Sequence, residues 1–146
     1  MKRESVLNNL PQLNLGELIE QLEKMPRVWG EKKEPVTVEF DFGTAFPTRL
    51  ASWRGSYSEL AIGYSWCGYD KNDQHFGNIT VDLLLEELKN ALRPDVYFTG
   101  WKGGDFYMDE ETPVWVSNEG NGSHTGITGV HDDGFQVILM TGYFEY

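Results

Sequence analysis

The last apolar segment and the turn before it constrain the fold most. Residues 135–141 are the most apolar run in the chain, and their apolar side chains fall on both faces of a strand: Val137, Ile138, Leu139 and Met140. A strand with two apolar faces is normally covered on both sides. The preceding Asp132-Asp133-Gly134 is typical of a hairpin turn. We therefore expect residues 135–141 to lie inside a sheet, paired with residues 126–130.

Two segments have the apolar periodicity of amphipathic helices. The first begins at Asn14, the predicted N-cap with Glu17 as capping-box partner, and ends at Pro26. Its apolar stripe is Leu15, Leu18, Ile19, Leu22 and Met25. The second runs from about Thr80 to Leu92. Its stripe is Val81, Leu84, Leu85, Leu88 and Leu92.

Most of the remaining chain has the character of strands. Residues 36–42 and 60–66 alternate between apolar and polar side chains, and residues 43–47 are expected to interrupt the first of these strands. Further strands are predicted at 96–98, 106–108, 114–117 and 126–130. This order indicates an α+β fold, a mostly antiparallel sheet of about five or six strands with two packed helices. We expect a single domain at residues 14–146, preceded by a flexible N-terminal arm at residues 1–13.

The chain is strongly acidic, and its acidic residues are concentrated towards the C-terminal end. The formal net charge is −11 over 146 residues, and residues 101–146 contain eight carboxylates and one base, Lys102. Such a charge repels nucleic-acid phosphates and anionic membranes, so we expect no direct binding to either. It suits a protein partner with a basic surface. The alternative is that the charge serves solubility alone.

Three observations bear on the cellular compartment. The single cysteine, Cys67, excludes an internal disulfide framework, which fits a reducing cytoplasm. The N-terminal residues have no apolar segment of the kind found in signal peptides. No apolar run approaches the length needed to span a membrane. We therefore expect a cytoplasmic protein.

The most informative polar cluster is Gly100-Trp101-Lys102-Gly103-Gly104-Asp105. A buried anion site needs a cation, free backbone N–H groups and an apolar wall, and Trp101, Lys102 and the glycines could supply all three. Asp105 would either pair with Lys102 or accept a hydrogen bond from a ligand. The alternative is a Gly-Gly turn with a surface lysine. Trp115, in the segment Thr112-Pro113-Val114-Trp115-Val116, is a further binding candidate.

A second cation is embedded among aromatic residues. Arg54 lies between Trp53 and Tyr57, and arginine both stacks on rings and binds carboxylate or phosphate through two parallel hydrogen bonds. A structural ion pair with a nearby acid is the alternative role. We predict that Arg54 and Lys102 lie on one face of the domain. A separation beyond about 15 Å, more than a Debye length, would exclude a single anion site.

No catalytic, cofactor or metal motif accompanies these residues. The acidic runs at 109–111 and 132–133 fit solvated turns and do not select an opposed carboxylate pair. No histidine is tied to Cys67 by a recognised motif. The three histidines lack the spacing of metal ligands: His75, His124 and His131. We expect no catalytic residue, no cofactor and no metal.

Five segments, in this order, resemble a generally uncharacterised group of small acidic proteins of tailed bacteriophages. They are Phe40-Asp41-Phe42-Gly43, Ser52-Trp53-Arg54-Gly55-Ser56-Tyr57, the helix from Thr80, Gly100-Trp101-Lys102-Gly103-Gly104-Asp105, and Thr112-Pro113-Val114-Trp115-Val116. The resemblance covers roughly residues 36–142 and leaves out the N-terminal helix. It implies expression in the cytoplasm of a bacterial host and an accessory role against that host. Small acidic phage proteins of this kind are often inhibitors of defence systems.

Together these features predict a non-enzymatic phage accessory protein that inhibits a host defence protein through an acidic, aromatic-rich surface. Two alternatives stay open. One is sequestration of a small anionic ligand, such as a signalling nucleotide, at an Arg/Lys/Trp site, and the other is a small enzyme with no recognisable motif. The candidate ligand- or partner-binding residues are Trp53, Arg54, Tyr57, Trp101, Lys102, Asp105 and Trp115.

Overall fold

Among the described residues, six of the eight strands close into a barrel, and two helices share its core. The computed structural model describes residues 4–6, 9–25, 35–41, 43–52, 59–65, 79–99, 104–118 and 121–144. In chain order the elements are α1 (Leu15–Glu23), β1 (Val36–Phe40), β2 (Gly43–Ser52), β3 (Leu60–Ser65), α2 (Val81–Ala91), β4 (Phe98–Thr99), β5 (Asp105–Phe106), β6 (Val114–Asn118), β7 (Asn121–Asp132) and β8 (Val137–Tyr143). The order around the barrel is β1-β2-β3-β6-β7-β8, while β4 and β5 form a separate two-stranded sheet.

The predicted fold class, a mostly antiparallel sheet with two packed helices, is wrong. The sheet is closed and mixed, because β1 pairs in parallel with β8 and β3 pairs in parallel with β6. The first of these pairs joins Val36 to Val137, which lie about a hundred positions apart in the sequence. Alternating side chains reveal a strand but not its partner, so the closure is not visible in local patterns.

The predicted C-terminal hairpin is confirmed. β7 pairs with β8 in a register that places Asp132 opposite Val137 at one end and Thr125 opposite Tyr143 at the other. β1 pairs with the other edge of β8. In the turn, the backbone N–H groups of Phe135 and Gln136 each donate a 2.9 Å hydrogen bond to the Asp133 carboxylate. These hydrogen bonds lower the pKa of Asp133 because they favour its charged form, and the bond from Phe135 has the largest effect.

The first helix begins at the predicted capping box. The backbone N–H of Glu17 donates to the Asn14 side chain at 2.8 Å, and the Glu17 carboxylate accepts from the backbone N–H of Asn14 at 3.0 Å. Two N–H groups that have no partner within the helix are thereby satisfied. The four positions of the stripe that face the core are buried: Leu15, Leu18, Ile19 and Leu22.

Replacing Asn14 with alanine is expected to lower the free energy of unfolding by about 0.5–2 kcal/mol, the usual cost of losing an N-cap. The measurement is urea unfolding followed by circular dichroism. Asn14→Ser is the matched control, because serine also accepts the hydrogen bond from the third helical residue. Equal stability of Asn14→Ala and the unmodified protein would show that the cap contributes nothing.

The second helix and the barrel interior complete a single core. Thr80 caps α2 by accepting a hydrogen bond from the backbone N–H of Leu83 at 3.3 Å. Both helices begin beside the same end of the barrel, since Thr80 bridges to Pro35 and Asn14 bridges to Pro113. The apolar faces of the helices and the inward side chains of the strands form one buried cluster. Within the described residues, no helix is long and apolar enough to cross a membrane.

Several predicted strand boundaries are wrong. β4 is Phe98–Thr99, where 96–98 was predicted, and β5 is Asp105–Phe106, where 106–108 was predicted. Residues 43–47 do not interrupt a strand; they begin β2, with Gly43 opposite Phe40. Pro47 remains paired with Tyr64, and the register shifts between Pro47 and Leu50, a bulge of the kind that accommodates a proline in a sheet. β7 starts at Asn121, earlier than the predicted 126, and its register against β6 also shifts.

The described residues of the N-terminal segment, 4–6 and 9–13, lie against the barrel. The backbone N–H of Leu13 donates to the Ile127 carbonyl at 2.8 Å, and the Leu13 carbonyl accepts from Val114 at 3.2 Å. Ser5 and Gln12 are buried. These residues thus extend the contacts of the domain, whereas the mobility of residues 1–13 in solution stays a prediction.

Candidate functional site

A short two-stranded ribbon, β4 and β5, stands outside the barrel sheet. Phe98 pairs with Phe106 and Thr99 pairs with Asp105. The two phenylalanines pack against the core, and Met108, two positions after Phe106, is buried. Because side chains alternate along a strand, the neighbouring positions face outward. We call this exposed set the ribbon face: Tyr97, Thr99, Asp105 and Tyr107.

The two tyrosines form an exposed aromatic pair on the ribbon face. Tyr97 is 54% exposed and Tyr107 is 58% exposed. Their ring centroids lie 6.2 Å apart and their planes are inclined by 55°. Tyrosine supplies a large contact area at little cost in side-chain entropy and is enriched at protein interfaces. The negative faces of the rings also attract cationic side chains.

The charge around the ribbon face is negative. Residues 104–118 contain no base and four exposed carboxylates: Asp105, Asp109, Glu110 and Glu111. Arg93, which precedes the ribbon, is already paired with Asp95 through hydrogen bonds of 3.0 and 3.2 Å. The described part of the ribbon and its flanks therefore favours a cationic partner over an anionic one.

One of the predicted binding residues lies on the ribbon face. Asp105 is exposed there, opposite Thr99. Five others lie outside the described residues: Trp53, Arg54, Tyr57, Trp101 and Lys102. In sequence, Trp101 and Lys102 belong to the connection between β4 and β5. That Arg54 and Lys102 share one face therefore stays a prediction.

Trp115 has a packing role. It is fully buried on β6 and meets Phe144 edge to face, with ring centroids 6.0 Å apart and planes at 83°. Ala61 completes this small cluster. Asp105 and Trp115 are thus not presented together on one exposed surface. Direct contact between Trp115 and a ligand or partner stays a prediction.

The sequence interpretation missed both exposed tyrosines. It selected the glycines and Lys102 between the two strands. The alternation of side chains that indicates the exposed tyrosines lies on either side of that connection. Residues 96–99 and 105–108 alternate with period two, and Tyr97 and Tyr107 occupy the phase opposite to Phe98 and Phe106. Placing the phenylalanines in the core directs the tyrosines to solvent.

Another exposed aromatic residue lies on the hairpin turn between β7 and β8. Phe135 is 86% exposed, and the carboxylates of Asp132 and Asp133 accept backbone hydrogen bonds within the same turn. The φ angle of Gly134 is +92°, a value that favours glycine. The turn therefore presents Phe135 from a well-defined backbone.

Comparisons with protein-family models, curated proteins and solved structures found no significant match. Within the described residues, no group of three or more His, Cys, Asp or Glu side chains could hold a metal ion.

Proposed function

We propose that this protein is a non-enzymatic binding protein whose ribbon face docks on a basic surface of a protein partner. The observation that carries the proposal is the exposed pair Tyr97 and Tyr107 within an acidic segment. Aromatic side chains supply much of the binding energy at interfaces. Surrounding carboxylates steer a basic partner and select against acidic surfaces. The ribbon that carries the tyrosines is anchored through Phe98 and Phe106, which pack against the core.

The resemblance to small acidic phage proteins supports a narrower form of this proposal. The partner is a bacterial host protein, in particular a protein of a defence system, and binding inhibits it in the host cytoplasm. An acidic ribbon suits a host protein whose basic groove normally takes nucleic acid. Sequestration of a small anionic ligand depends on Arg54 and Lys102, and the carboxylates of the ribbon face do not favour it.

Tyr107→Ala is expected to weaken partner binding by at least about tenfold, the range of an interface hot spot. A tagged protein is used to capture partners from bacterial lysate, and the affinity of a recovered partner is then measured for each variant. The matched control is Leu83→Ala, since Leu83 is also partly exposed but lies on α2. Both variants should keep the melting temperature. Equal affinity of the two variants would remove the ribbon face from the interface.

Association with the partner is expected to slow as salt is raised, because surface charges act mainly on the association rate. Stopped-flow or biosensor kinetics at low and high ionic strength measure this effect. The net charge of −11 sets its sign, with faster association at low salt for a basic partner. A rate that does not change with salt would indicate an apolar interface instead.

A further inference from the structure

A groove lies beside α1, and segments that come before and after the ribbon in the sequence form part of its walls. Its volume is about 400 Å³, and α1 forms one side of it. Leu92 lines it before the chain enters β4, and Glu110 lines it after the chain leaves β5. Glu110 follows Tyr107 by three residues, a span of at most about 11 Å. We call this feature the root groove.

The root groove combines apolar walls with carboxylates. Ile19 and Leu92 supply apolar surface, the acids are Glu20, Glu23 and Glu110, and one cation, Lys24, also lines the groove. The turn that carries Glu110 is held against α1, because the backbone N–H of Gly16 donates to the Glu110 carbonyl at 2.9 Å. A Cβ atom on Gly16 would lie 3.1 Å from the Glu110 Cβ, so glycine allows this close approach. A long side chain with an apolar stem and a cationic head matches this lining.

Lysines already occupy two of the three carboxylates. Lys24 lies 2.7 Å from Glu20, and Lys89 lies 3.5 Å from Glu23, with all four side chains largely solvated. Exposed ion pairs of this kind are weak, so an incoming cation can compete with the lysines. Across the described parts of the chain, no ion pair engages Glu110. Glu110 is therefore the carboxylate best placed to receive a cation from a partner.

We infer that the root groove receives an arginine side chain from the same partner segment that docks on the ribbon face. This inference rests on the proposed function and specifies the chemistry of the partner. Guanidinium forms bidentate hydrogen bonds with carboxylates and also stacks on aromatic rings, so arginine suits both the groove and the tyrosine pair. A second copy of this chain does not suit the site, because each copy carries a net charge of −11.

The test uses the full chain labelled with ¹⁵N and a synthetic peptide of alternating arginine and glycine. Its control peptide replaces each arginine with citrulline, which keeps the shape and removes the charge. Titration with the arginine peptide should shift the backbone amide signals of Ile19, Glu20 and Glu110 together with those of Tyr97 and Tyr107. The citrulline peptide should cause little shift at the same concentrations.

Glu110→Gln should weaken binding of the arginine peptide about two- to fivefold, the effect of losing one exposed ion pair. Glu86→Gln is the matched control, because Glu86 is exposed on α2, does not line the groove and changes the net charge equally. Glu20→Gln gives a second variant and should weaken binding in the same direction. Thermal melting checks that each variant is folded.

Several outcomes would overturn the inference. If Glu110→Gln and Glu86→Gln lose the same affinity for the arginine peptide, the attraction is due to net charge alone. If the citrulline peptide binds as tightly as the arginine peptide, recognition of the guanidinium group is excluded. Absence of binding at millimolar peptide would also exclude the groove as an arginine site. Shifts at Tyr97 and Tyr107 without shifts at Ile19 and Glu110 would reject the groove and leave the proposed ribbon interface standing.

Discussion

A chain that ends at Val130 is expected to lose its cooperative thermal transition, as followed by circular dichroism. The deletion removes β8, which pairs with both β7 and β1 and so closes the barrel. It also removes three fully buried side chains: Val137, Leu139 and Phe144. Burial of each contributes about 1.5–3 kcal/mol, against a total stability of about 5–15 kcal/mol for a typical domain. The barrel would in addition be left with two unpaired edges.

Phe135→Ser is the control for this deletion, because it changes the same region at a side chain that is 86% exposed. We expect it to keep a melting temperature near that of the full-length protein. A cooperative melt of the truncated chain near the full-length midpoint would show that β8 is peripheral to the fold.

Gly126→Ala is expected to lower the free energy of unfolding by about 1–3 kcal/mol, the cost of overpacking a filled site. A Cβ atom at this position would lie 2.8 Å from Gln12 Nε2 and 3.0 Å from the Phe144 ring. Neither neighbour moves freely. Gln12 is buried and its Nε2 donates to the Val114 carbonyl at 3.0 Å, while Phe144 has no exposed surface.

Gly129→Ala supplies the matched control for this substitution. Gly129 lies in the same strand, yet a Cβ atom there would meet nothing within 4 Å. We expect a change between zero and a gain of about 1 kcal/mol, because alanine restricts the unfolded chain more than glycine does. Urea unfolding of both variants measures the difference. A stability loss of equal size at the two positions would point to strand propensity and away from steric conflict.

The features predicted correctly from the sequence are those that neighbouring residues determine. Asn14 and Glu17 form their capping box three positions apart, and the turn at residues 132–134 joins two adjacent strands. The parallel pairing of β1 with β8 depends on residues about a hundred positions apart. Single strands with one or two apolar faces fit an open sheet and a closed barrel equally well, so the closure could not be deduced.

The candidate site shows the same division between local and distant determinants. Asp105 was selected from its own neighbours, and the structure places it on an exposed ribbon. Trp115 was selected in the same way, but Phe144, 29 positions later in the sequence, packs against it. Burial of an aromatic side chain depends on the segments that cover it, and a local motif carries no information about those segments. The exposure of Tyr97 and Tyr107 could have been predicted from the sequence, because it follows from the alternation of side chains along two short strands.

Closure of the barrel also limits how a partner can recognise this protein. Each of the six barrel strands has a neighbour on both sides. Over the strands that the structure describes, the barrel wall therefore offers no open edge to which a strand from another protein could be added. Recognition at the wall has to use side chains. Exposed side chains can be exchanged without disturbing the backbone pairing, so a lineage carrying this barrel could acquire new partners while keeping its fold.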